Sequence, residues 1–282
     1  MIRCLLIALS LQLFTACEQT NLLVMTDAAS DAVSAITLTD NEVQKLAKLT
    51  IRETDARHQV AAAGTPYATR LQSIVAKLGE RDGRIFNFKV YLTREINAFA
   101  MADGSIRIFS GLMDLMNDRE LLFVIGHEMG HVVQEHSRKK VVLAYAASAV
   151  KKGLASQEND IGQIANSLIG SLVEQLTNAQ FSQHEERQAD RYAAVFLRAE
   201  GLDNAAAVSA LMKLSDLARQ HTFLSSHPDP EARSKRLLNN DPVDDADEQS
   251  FFAKLLVYAE KLVIGILNLI LLLLEWVLSF FN

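Results

Sequence analysis

Residues 127–131 read His-Glu-Met-Gly-His, and the two histidines fall four apart, the spacing that stacks side chains on one helical face. Such a pair constrains a chain strongly, because the helix, its neighbours and the cleft beside it must all serve one shared ligand. Two imidazoles at i and i+4 match the first two protein ligands of a catalytic zinc site. Glu128 between them stands where a general base for an attacking water belongs. The flanks read as helix: Asn117 or Asp118 can cap its start, Glu120 can complete a capping box with Asn117, and Leu121 to Ile125 form a buried apolar run. Gly126 and Gly130 each cost about 1 kcal/mol of helix propensity relative to Ala. In return they offer room, since without a Cβ a second helix or strand can approach the histidine face. His136 lies nine residues after His127, half a turn around the same helix, and is expected to be solvated.

A catalytic zinc site takes three protein ligands and leaves one position open for water. The best downstream source is Phe181-Ser182-Gln183-His184-Glu185-Glu186-Arg187-Gln188-Ala189-Asp190. Glu186 and Asp190 share a face at i and i+4. Glu186 can therefore bind the metal while Asp190 accepts a hydrogen bond from the far nitrogen of a ligating histidine and so fixes its tautomer. Glu185 and His184, at other angles of the same helix, are the alternatives, and a solvated charge cluster would need no metal at all.

Together with Asn97-Ala98-Phe99-Ala100, Ser110-Gly111-Leu112, and His227-Pro228 with Arg233, these segments resemble the membrane-associated zinc metallopeptidases that include the heat-shock protease HtpX and the CAAX prenyl endopeptidases. The resemblance spans residues 35 to 240. It implies an α+β, mostly helical, zincin-like fold with a small sheet, and Zn2+ as cofactor. Its third ligand is the glutamate four residues before the aspartate of the Ala-Asp pair, which implies Glu186 beside His127 and His131, with Glu128 catalytic. It also implies that Asn97 to Ala100 forms a strand edge to which an extended peptide can add, and that His227 stands near the metal, regulating access or replacing water. By its own sequence, His227 could equally sit in a surface loop, and Phe99 could be only core. Arg233 either steadies a carbonyl oxyanion or pairs with acidic side chains. Where the family often has Arg after the Ser of Phe181-Ser182, this chain has Gln183.

Elsewhere in this stretch, Thr39 with Glu42 opens a helix reaching Ala56, and Thr65-Pro66 opens another reaching Leu78. Arg84 to Leu92 and Ser105 to Phe109 read as the strands of a hairpin around the turn signal Asp103-Gly104. Lys139 to Gln180 suggests helix, break, helix. The helix bearing Glu186 should run to Ala199, and another should cover Asn204 to Arg219. Pro228 and Pro230 disfavour helix at the residues before them, so His227 is presented from a rigid loop.

The ends of the chain concern location. Arg3, the apolar run Leu5 to Phe14, and Phe14-Thr15-Ala16-Cys17 read as a bacterial lipoprotein signal over 1–16 with Cys17 lipidated; Phe14, where Leu is commoner, leaves ordinary cleavage or an uncleaved anchor as the alternative. Residues 17–36 would then be a lipid-anchored linker, 37–240 the metallopeptidase domain and 241–250 an acidic linker. By resemblance to bacterial sorting patterns, Glu18 rather than Asp after the cysteine favours the outer membrane, facing the periplasm. With Cys4 removed and Cys17 acylated, neither of the chain's two cysteines is left for a disulfide. Residues 251–282 form a strongly apolar segment in which Lys254, Lys261, Asn268, Glu275 and Asn282 mark one narrow polar stripe. That pattern suits a helix that contacts membrane lipid or joins a homo-oligomer, or else one that folds onto its own domain. A net charge of -6 with no basic stripe argues against nucleic acid. The functional expectation is a zinc-dependent metalloendopeptidase acting on unfolded, misfolded or envelope proteins, and the alternative is a noncatalytic chaperone or assembly scaffold retaining the same fold.

Overall fold

The computed structural model describes residues 38–155, 172–173, 176, 179–217 and 222–239. Contacts divide the chain into two units, Met1–Asp241 and Pro242–Asn282, the second lying wholly outside the described residues. The Cys17 lipobox, the linkers 17–36 and 241–250, the apolar segment 251–282 and the break expected after Lys139 also fall outside them. Among the described residues no helix is long and apolar enough to cross a membrane.

The helices begin where local chemistry places them. Helix α1 (Asp40–Arg57) opens on a capping box in which Thr39 Oγ1 accepts from the Glu42 N–H and the Glu42 carboxylate accepts from the Thr39 N–H. Helix α2 (Pro66–Val75) has proline in its first turn, where no N–H is needed. Two short strands, β1 (Glu80–Arg81) and β2 (Arg84–Ile85), pair antiparallel across Asp82 and Gly83, both at positive φ.

The main sheet has three strands, β3 (Asn87–Tyr91), β4 (Ala98–Ala100) and β5 (Ser105–Phe109), in the order β3-β5-β4. Asp103-Gly104 does make a turn, but it joins β4 to β5. The hairpin expected between the strands at 84–92 and 105–109 is replaced by parallel pairing of β3 with β5. The reason is the short β4: it takes the antiparallel place beside β5 and leaves β3 the opposite side. All five residues of β5 are buried, which fits the central strand of a covered sheet.

An ion network fastens α1 to this sheet. Asp55 accepts from Arg107 Nε at 2.8 Å, from Lys89 Nζ at 2.8 Å and from Tyr91 Oη at 2.6 Å. Burial pushes the Asp55 carboxyl up, but the bonds from Arg107, Lys89 and Tyr91 outweigh it and hold the pKa at about 2. Arg107, almost fully buried on β5, is thereby satisfied by a residue of another element. The end of α1 is consequently held against the sheet, where Thr54, Arg57 and His58 line a cleft.

After the short helix α3 (Ser110–Leu115), helix α4 (Asp118–Val133) starts on Asn117, whose side chain accepts from the N–H groups of Arg119 and Glu120 while Glu120 reaches back to the Asn117 N–H. Helix α5 (His136–Ala155) follows at once, and helices α6 (Gln183–Ala199), α7 (Ala205–Asp216), α8 (Thr222–Ser226) and α9 (Pro230–Asn239) complete the described fold. The most extensive packing joins α4 to α6. The glycines permit it: a Cβ on Gly126 would lie 2.5 Å from Phe196 Cδ1, and one on Gly130 would lie 3.1 Å from Ala189 Cα. A Cβ at 126 would displace the Phe196 ring, and one at 130 would press on the α6 backbone at Ala189.

Candidate metal centre

His127 and His131 stand one turn apart on α4, and both are buried. Across the close α4–α6 contact Glu186 meets them, with Oε1 3.3 Å from His131 Nε2 and Oε2 3.6 Å from His127 Nε2. From the turn between α8 and α9, His227 points inward instead of lying on the surface. Its Nδ1 is 3.0 Å from Glu186 Oε1 and 3.2 Å from His127 Nε2. The four side chains form a fully buried group whose ligand atoms all lie within 4.8 Å of one another.

These groups fit a cation better than they fit one another. The Nε2 atoms of His127 and His131 face each other at 3.0 Å. His127 Nδ1 is 3.0 Å from Asp190 Oδ1 and so carries the proton, leaving the Nε2 lone pair turned toward the cluster. A relay does the same for His131: with Gln188 Oε1 accepting from His136 Nε2 at 2.8 Å, His136 Nδ1 accepts from His131 Nδ1 at 3.1 Å. Two lone pairs at 3.0 Å repel unless a positive charge sits between them. Donors about 2.0–2.1 Å from a tetrahedral zinc stand roughly 3.3 Å apart, and the separations among His127, His131 and Glu186 are 3.0, 3.3 and 3.6 Å. The donor set is that of a single zinc site.

Electrostatics favour the ligating forms. Burial holds the His131 pKa well below the usual value and lowers that of His227, so both imidazoles are neutral. For Glu186 burial acts upward, but the charge of the buried Arg233 prevails and keeps it ionised. Arg233 itself is fully buried, donating from Nε and Nη2 to Asp190 at 2.9 and 2.6 Å and placing Nη1 against Glu186 Oε2. Of the two roles its sequence left open, the structure shows pairing with acidic side chains.

Glu128 is buried, and among the described residues neither of its carboxylate oxygens has a hydrogen-bond partner; His227 Nε2 lies 3.4 Å from Oε1. It borders an open cleft whose walls include Asn97, Phe99 and Ala100 of the β4 edge, Lys140 of α5, and Phe181. Phe181 stacks on the His131 ring, centroids 3.6 Å apart, and Phe223 stacks on His227 at 4.4 Å.

Two features were not legible beforehand, and a third followed from a pattern already present in the sequence. His136 is buried beside His131, not solvated, because Glu135 adopts φ 62° and breaks the chain between α4 and α5, carrying the ring back toward the site. Gln188, which orients His136, gave no signal. Glu185 is removed from the metal by a local pattern that was available: Ser182 and Glu185 form a capping box, and Glu185 also accepts from Lys139 at 2.9 Å. Neither Glu185 nor His184 joins the described cluster.

The sequence matches known proteins. Residues 66–241 match the model of peptidase family M48. The chain is 38% identical to metalloprotease LoiP of Escherichia coli (strain K12), over 84% of this chain and 95% of that protein. It is 34% identical to metalloprotease YcaL of the same organism, over 82% and 93%. It is also 30% identical to the Escherichia coli (strain K12) beta-barrel assembly-enhancing protease, over 52% of this chain and 33% of that longer protein. With the family model matching well over half the sequence and two relatives aligned across most of their own length, the chain belongs to peptidase family M48 and is a zinc metalloendopeptidase.

Proposed function

We propose that the chain hydrolyses peptide bonds in unfolded, misfolded or envelope proteins, with zinc held by His127, His131 and Glu186. The observation that carries this reading is the pair of buried, unpartnered Glu128 oxygens at the edge of the cleft. A buried carboxylate without donors is costly, and a general base needs a free lone pair facing its proton. When bound, zinc lowers the pKa of a water toward about 7 and polarises the scissile carbonyl. Glu128 accepts the proton of the attacking water and then delivers it to the departing amine nitrogen. Asp190 and the His136–Gln188 pair keep the two histidines in the tautomers that ligation requires.

Strand β4 supports a role in holding an extended substrate. The Asn97 carbonyl and the Met101 N–H bond to β5, so the alternation of a strand turns Ala98 and Ala100 toward the open edge. There Asn97 Oδ1 accepts from the Ala98 N–H at 2.9 Å, and the Ser137 hydroxyl donates to the Ala100 carbonyl at 3.3 Å. A peptide adding to this edge would use backbone bonds, which give affinity without reading sequence and suit unfolded substrates. Purified full-length protein should cleave unfolded casein, stop on chelation and recover with added zinc. Cleavage indifferent to chelator would remove the metal from the mechanism, and intact zinc without any cleavage would favour the chaperone or scaffold reading.

His227 supplies the fourth corner of the cluster, the place an attacking water needs. It serves as a gate that must swing aside for turnover. A His227→Ala protein is therefore expected to keep its zinc through the other three ligands and to cleave casein several times faster. Loss of zinc in that variant would make His227 a permanent ligand.

An envelope location is supported by the Cys17 lipobox and by similarity to a protease named for enhancing β-barrel assembly. Lipidation at Cys17 with Glu18 after it supports outer-membrane attachment facing the periplasm, with the 251–282 segment as a further contact to lipid or to a second copy. Labelling of cells with a radioactive fatty acid should mark the wild type and not Cys17→Ala. Equal labelling of both would place the acyl chain, and the signal, elsewhere.

A further inference from the structure

Lys140 is a cation that the hydrolytic mechanism does not use. It projects from α5 into the cleft that Glu128 borders, and its ammonium stands 3.7 Å from the centroid of the Phe181 ring. The opposite face of that ring carries His131, since two groups at such distances cannot share one face. Lys140 and the ligand histidine are thus separated by the thickness of one aromatic ring.

Among the described residues, no carboxylate lies within ion-pair distance of the Lys140 ammonium, whereas its neighbours Arg138 and Lys139 pair with Asp40 and Glu185. Arg57, the other strong cation lining the cleft among the described residues, is paired with Glu53 at 2.9 Å. Burial lowers the Lys140 pKa to about 8 against the opposing charges of Glu128, Glu186 and Glu185, so it remains largely protonated at neutral pH. A desolvated ammonium on an aromatic face, unpaired and facing open space, is poised to gain more from an incoming anion than a solvated surface lysine would.

From this placement we propose that Lys140 makes the cleft a carboxylate-accepting subsite, favouring substrates with a carboxylate close to the scissile bond. Phe181 stands between the ammonium and His131, which places the charge too far out to meet the carbonyl oxygen under attack. An extended chain advances about 3.3 Å per residue, so a group one or two residues from the cut reaches it. Two sources share this chemistry: an Asp or Glu side chain, and the terminal carboxylate of a chain cut near its end.

The proposal rests on the endopeptidase reading, and the test separates the two. Full-length zinc-loaded protein is given matched peptides carrying Glu or Gln at each position flanking the cut, each with a free and an amidated C-terminus. Affinities for the same peptides are measured by fluorescence anisotropy on the Glu128→Gln protein. A Glu peptide should exceed its Gln partner in kcat/KM and in affinity by roughly tenfold at one position, as expected for a hydrogen bond to a charged group. Preference for the free terminus over the amide, with no side-chain effect, would assign the subsite to chain ends. Lys140→Met should bring the ratio near one, and Lys140→Glu should turn the preference toward Lys at the same position. Equal ratios in wild type and Lys140→Met overturn the subsite and leave Lys140 as a clamp on Phe181; failure to cleave any peptide overturns the endopeptidase reading instead.

Discussion

A Glu128→Gln protein is expected to keep near-stoichiometric zinc and its fold while losing at least about a hundredfold in peptidase rate. The substitution preserves shape and removes only the ability to accept a proton. Glu128 makes no hydrogen bond that the fold depends on, so its loss should cost little stability. The amide also cannot return a proton to the departing amine, so both halves of the transfer fail together. Zinc measured by mass spectrometry beside casein cleavage decides the matter. Loss of metal along with activity would mean that Glu128 helps to bind zinc, and the division of roles between it and Glu186 would fall.

What could be read ahead of the structure was local. The i, i+4 pairs His127/His131 and Glu186/Asp190 and the capping boxes at Thr39 and Asn117 depend on residues three or four apart, and the structure places each as its spacing implies. The two glycines of α4 announced a close neighbour without naming it; only the fold shows that the neighbour is α6. What stayed hidden is non-local or turns on a single dihedral. The parallel pairing of β3 with β5 depends on β4 taking the other side, a competition that no window of sequence records. Asp55 and Arg107 are 52 residues apart, and nothing near either marks it as buried. A helix continued through Glu135 would turn His136 to the far face; one left-handed residue moves it into contact with His131. Lys140 inherits the same shift, because α5 starts anew at His136 and sets its own phase around the cleft.

Arg233 carries the second large effect. Its guanidinium is fully buried and holds the carboxylates of Asp190 and Glu186, one from each side of the same helical face. Replacing it with Met fills similar volume but leaves two buried anions facing each other, and breaking a buried ion pair from one side typically costs about 3–5 kcal/mol. For a domain of this size each kcal/mol shifts the midpoint by roughly 2–4 °C, so metal-free Arg233→Met should melt on the order of 10 °C below metal-free wild type. Zinc binds the folded state and brings its own positive charge to Glu186, so the gap should narrow when both proteins are loaded. Asp190 remains without its partner, and His127 loses part of what orients it, so zinc affinity should still fall. Thermal melts with and without metal, together with zinc titration, test each step. If Arg233→Met melts normally and binds zinc normally yet cleaves nothing, Arg233 acts on the substrate, and the oxyanion role returns in place of the structural one.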